Sequence, residues 1–105
     1  MPKIYEFEFE APPEQVLEET VSAVNLLGFA ILDSDAESLT FNTGPSIFSN
    51  AGQDMTVTAE ALTDSSSRLV LSGQAAARGE YGSWGERGRI AKGLAAKVRE
   101  GLVAP

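Results

Sequence analysis

The sequence predicts an α+β fold, a single antiparallel sheet of about five strands in the order β-α-β-β-β-β-α with two helices packed on one face. Three observations predict it. Apolar residues alternate with period two at the start, switch to a helical period from Pro13, and return to period two for four consecutive runs with short links. A second helical stripe closes the chain. Four consecutive strands make an antiparallel meander, and two amphipathic helices are enough to cover one of its faces.

Lys3 to Glu10 alternates strictly, with Tyr5, Phe7 and Phe9 on one face and Glu6, Glu8 and Glu10 on the other. Ala11-Pro12-Pro13 stops the strand, and proline suits a first helical position. From Pro13 to Leu27, Val16, Leu17, Val21, Val24 and Leu27 share a face, while Glu14, Glu18 and Glu19 crowd the first turns, where the helix dipole favours anions. Gly28 is placed to end this helix in a left-handed conformation.

Phe29 to Leu32 then reads as a short strand, Asp33 to Glu37 as a polar turn, and Leu39 to Thr43 as the returning strand. A connection from Gly44 to Gln53 precedes a run with Met55, Val57, Ala59 and Ala61 inward and Thr56, Thr58 and Glu60 outward. Thr63 to Ser67 is a turn cluster, and Arg68 to Ala76 is the last strand, with Leu69, Leu71 and Ala75 inward. Ser83-Trp84-Gly85-Glu86 has the spacing of a capping box. Beyond it Ala91, Leu94, Ala95, Val98 and Leu102 form an apolar stripe, with Arg89, Lys92 and Lys97 on the wet side.

Length sets the expectation of one α+β domain over residues 1–105. The chain has no Cys and no His, which removes disulfides, Cys/His metal sites, thiol nucleophiles and any triad with a His base. The acidic side chains Glu6, Glu8 and Glu10 lie on an open face, where nothing excludes water, so no catalytic pair, no cofactor and no enzymatic activity are expected. Met1 to Glu6 lacks the basic and apolar regions of a signal peptide, and Phe29 to Leu32 is the longest apolar stretch. The expectation is therefore a cytoplasmic protein without membrane contact.

Charge is divided along the chain. Met1 to Ser67 holds one Lys against twelve carboxylates, and Arg68 to Pro105 holds seven Lys/Arg against three Glu, for a net charge of −7. Such a split fits either a basic end that meets an acidic partner or two halves that neutralise each other within the fold. Glu6, Glu8, Glu10 and Glu60 on the wet sheet face repel phosphate backbones, so no nucleic acid is expected.

Phe41-Asn42-Thr43-Gly44, Gly52-Gln53-Asp54-Met55-Thr56-Val57 and Ser83-Trp84-Gly85 look like segments of small bacterial domains of unknown function. The element order resembles half of a TATA-binding-protein-like fold and is similar to a shortened helix-grip domain of the plant-allergen type. These resemblances imply a fold and a bacterial source. The short motifs imply no chemistry.

Two functional readings follow. The first is a protein-interaction or self-association module that uses Ile47 and Phe48 in the Gly44 to Gln53 loop, Trp84, or an unpaired sheet edge. Its partner is an unknown protein or a second copy. The alternative is a module for a small apolar ligand in a groove between the sheet and the last helix, where Gly73, Ala75, Gly88, Ala91 and Ala95 leave room. A weak anion candidate comes from Gly79, Gly82, Gly85 and Gly88 with Arg87 and Arg89 at a helix start, opposed by Glu80 and Glu86. Asp33, Asp35 and Glu37 alternate in a turn but lack the twelve-residue calcium loop, so no metal is expected there.

Overall fold

A computed structural model describes residues 4–44, 52–75 and 84–103, of which 74, 75 and 84–87 are described by backbone only. The elements are β1 (Ile4–Phe9), α1 (Pro13–Leu26), β2 (Ala30–Ser34), β3 (Ser38–Asn42), β4 (Gln53–Thr63), β5 (Ser66–Ala75) and α2 (Trp84–Val103). All five strands form one antiparallel sheet in the order β1-β5-β4-β3-β2. The meander β2 to β5 is completed by β1, which returns to pair with the last strand. Both sheet edges are therefore made by the first half of the chain.

Period-two alternation fixes the register, since a one-residue slip would turn every apolar side chain to water. Tyr5, Leu71, Val57 and Leu39 lie opposite one another across four strands. Met55 and Phe41 continue a second row to Ile31 at the edge. Phe41, Met55, Val57, Leu69 and Leu71 are completely buried. On the other face Arg68 stands directly opposite both Glu8 and Glu60.

Helix α1 begins with Pro12 and Pro13 and packs across β2, β3, β4 and β5. Val16, Leu17, Ala23 and Val24 are buried, with Thr20 beside them donating its hydroxyl to the Val16 carbonyl at 2.7 Å. The helix ends in a Schellman arrangement. Gly28 has φ 79°, its amide donates to Asn25 O, and the Phe29 amide donates to Val24 O. Helix α2 packs on α1 and β1, burying Ala91, Leu94, Ala95 and Val98. Full burial of Leu94 and Val98 contributes about 1.5–3 kcal/mol each, which offsets the roughly 1 kcal/mol cost of each interior glycine. Among the described residues no helix is long and apolar enough to cross a membrane.

Several boundaries differ from the sequence reading. Asp33 and Ser34 belong to β2, because hydrogen bonds accepted by the Asp35 carboxylate from the Glu37 and Ser38 amides start the turn two residues later. Ser66 and Ser67 belong to β5, leaving a tight turn at residues 64–65. Ala61 and Leu27 are exposed rather than inward: Ala61 borders the register shift near the end of β4, and Leu27 caps α1. Thr20 joins the core because its hydroxyl finds a carbonyl within the helix.

Candidate functional site

Three features outside the core stand out among the described residues. The first is the neck of the loop between β3 and β4. The Asn42 carboxamide donates to Asp54 Oδ1 at 2.8 Å and accepts from the Gly44 amide at 2.7 Å. Thr43 N donates to Gln53 O, and Gln53 N donates to Thr43 Oγ1 at 2.9 Å. Gly44 and Gly52 have φ 82° and 78°, and a Cβ on Gly52 would stand 2.6 Å from the Gly44 carbonyl oxygen. The residue patterns around Asn42 and Gly52 thus have a structural explanation: they hold the two ends of a loop together.

The second is the wet sheet face. Arg68 lies 3.7 Å from Glu6, 3.7 Å from Glu8 and 4.0 Å from Glu60. The Arg99 guanidinium sits 5.0 Å from the centre of the Phe9 ring and donates to the Glu8 carbonyl. Basic residues of the second half therefore meet acidic strands of the first half within the fold. The carboxylates around Arg68 are exposed, so each of its ion pairs is worth about 0–1 kcal/mol.

The third is the β2 edge. All five residues of β2 are exposed, with Ile31 at 37% and Leu32 at 57%. A register shift against β3 falls between Ile31 and Asp33, so Leu32 is the extra residue of a bulge. The opposite edge, β1, carries Glu6 and Glu8 at alternate positions, a common protection against further pairing. Along β2 the one charge is Asp33. Beyond Ser34 the Asp35 carboxylate accepts hydrogen bonds from the Glu37 amide, the Ser38 amide and the Ser38 hydroxyl. The Glu37 amide, then the Ser38 donors, hold its pKa below the usual 3.8.

A groove of about 310 Å³ opens where β2 ends, between α1 and the β2–β3 turn. Leu17 and Val21 contribute its apolar lining, and Glu14, Glu18, Ser34 and Asp35 its polar lining. A second groove of about 250 Å³ runs between α1 and α2, with Leu26, Lys97 and Gly101 along it.

Among the sequence-predicted contacts, Ile47 and Phe48 lie outside the described residues. Trp84 opens α2 and Arg87 lies in its first turns, but their side chains lie outside the description. Arg89 is exposed on α2. Gly88 faces the Tyr5 ring, while Ala91 and Ala95 are buried against the core. Asp33, Asp35 and Glu37 do not converge: no group of three acidic side chains among the described residues is arranged to hold a metal ion. The sequence reading named an unpaired edge without saying which. A short apolar strand between two acidic segments was the available signal for β2.

No family model matches the chain, and no curated protein matches it. Solved structures do. The di-domain ARO/CYC StfQ of the steffimycin biosynthetic pathway aligns with a TM-score of 0.60 at 14% identity, over 93% of this chain and 44% of StfQ. The chain spans less than half the length of that protein. Ara h 8.0201 aligns with a TM-score of 0.55 at 10% identity, over the whole of both chains. What the chain shares with these two structures is the fold, a small α+β domain of one antiparallel sheet and helices. The TATA-binding-protein-like comparison gains nothing from these two structures.

Proposed function

We propose that the chain is a non-enzymatic protein-interaction module that takes a short extended segment of a partner along the edge of β2. One observation carries this reading: the outermost strand is exposed at every residue, apolar at Ile31 and Leu32, and marked by a single charge. Strand addition supplies main-chain hydrogen bonds for affinity and side-chain contacts for choice. Main-chain bonds at about 0.5–1.5 kcal/mol each and partial burial of two aliphatic side chains, set against the cost of association, make this a weak, reversible contact. The bulge and the short strand limit the added segment to a few residues.

The test is selection of binders from a random peptide library, followed by amide chemical shifts of the labelled chain. The expected result is an extended peptide that moves the amides of Ala30 to Ser34. Binders that leave those amides unmoved contradict the reading.

A small apolar ligand between the sheet and α2 is the second reading, and the likeness to StfQ and Ara h 8.0201 favours it. It ranks below the first because Phe41, Met55, Leu71 and Leu94 are fully covered, so that a ligand has to displace packed side chains. Native mass spectrometry separates the two. Added small-molecule mass that is lost on denaturation supports the ligand; a bare chain counts against it.

A further inference from the structure

We infer that the segment taken by β2 is cationic as well as apolar, and that one of its Arg or Lys side chains enters the groove beyond Ser34. This inference rests on the edge reading above and names the partner's chemistry. Three observations support it.

Ser34, the last residue of β2, borders the groove, so a strand laid along that edge passes beside it. Its lining has the two parts that a long basic side chain needs. Leu17 and Val21 match the methylene stem, and Glu14, Glu18 and Asp35 match the charged head. Asp35 is a fixed negative charge, because its carboxylate is held by three hydrogen bonds from the turn it closes.

The elements around this groove bring no cation of their own. Between Ile4 and Ser67 the sequence has no Lys or Arg, so α1, β2, β3 and β4 contribute none. The described ion pairs of the basic half are placed elsewhere: Arg68 on the wet face, and Lys97 with Glu100 on α2.

Charge also selects against a second copy as the occupant. Two β2 strands paired antiparallel about Leu32 would set their Asp33 side chains on a diagonal, about 7–8 Å apart. They would also bring together two chains of net charge −7. A basic partner meets none of this repulsion and is steered toward the acidic hairpin.

The experiment uses the full chain and synthetic peptides taken from the random-library selection. Selected peptides are expected to carry at least one Arg or Lys at the end that lies beside Ser34. Changing that residue to Gln is expected to weaken binding about threefold to fivefold. On the Glu14→Gln/Glu18→Gln double variant, which keeps only Asp35 of the three carboxylates, the preference for the Arg over the Gln peptide is expected to shrink. Peptides that shift the Ala30 to Ser34 amides yet bind equally well with Arg or Gln overturn this inference and leave the edge reading standing. Peptides that leave those amides unmoved overturn the edge reading, and this inference with it. A homodimer whose formation shifts the same amides overturns the choice of a basic partner.

Discussion

Phe29 and Phe41 lie face to face, with ring centroids 5.5 Å apart and planes within 3° of each other. This stack joins the end of α1 to the sheet interior. Phe29 is the second residue past the helix cap, and Phe41 is fully buried in β3. It holds the residue just before β2 against the core, while all five residues of that strand stay exposed.

Phe41→Ala is expected to cost about 3–5 kcal/mol in urea unfolding. Phe29→Ala is expected to cost less, about 2 kcal/mol, because Phe29 is only half-buried and a stacked pair adds about 0.5–1.5 kcal/mol. Amide exchange at Ala30 and Ile31 should accelerate more in Phe29→Ala than exchange in β4. Equal acceleration throughout the sheet would deny the stack its local role.

The glycines should divide by position. Gly52→Ala meets both a positive φ and backbone atoms closer than 3 Å, so a loss of about 1–3 kcal/mol is expected. Gly93 lies within α2 with nothing inside 4 Å of an added Cβ, and Gly93→Ala is expected to stabilise by about 0.5–1 kcal/mol. Thermal melts of the two variants check both signs.

The Ser67 hydroxyl donates to the Ala11 carbonyl at 2.8 Å, 56 residues away in sequence, and both residues are buried. Ser67→Ala strands that carbonyl and is expected to cost about 1–3 kcal/mol. Ser66→Ala is the control: its hydroxyl pairs with Thr63 at the exposed turn, so a change within about 0.5 kcal/mol is expected.

The fold was readable because period and punctuation agreed. Strict alternation in β1, the Pro12-Pro13 entry to α1 and Gly28 at its end each have one structural solution. Ser34 and Ser67 were misplaced because their positions depend on hydrogen bonds with residues that local pattern does not weigh. The candidate edge was harder to see. Strand order decides which strand is outermost, and that order arises from β1 pairing with β5, with partners 58 to 68 residues apart. The sequence reading looked to Ile47, Phe48 and Trp84 for contacts, because large apolar residues among glycines stand out more than a plain five-residue strand.

Asp35 supplies a pH dependence with a definite sign. Its folded pKa is depressed below 3.8, first by the Glu37 amide and then by Ser38. Its stabilising contribution is therefore complete above the unfolded value and is lost as pH falls through the lower folded value. Urea midpoints taken from about pH 6 down to about pH 2 should fall less steeply in Asp35→Asn than in the parent over the acid end. Parallel curves would remove Asp35 from the account.

The most direct test of the central claim is amide hydrogen exchange across Ala30 to Ser34, with and without a peptide selected to bind the full chain. Strand addition predicts that amides of β2 pointing away from β3 become protected when the peptide is present, while those of β1 do not change. Protection that appears at the 42–44 and 52–54 neck or along α2, with β2 unaltered, would contradict it and move the site elsewhere on the molecule.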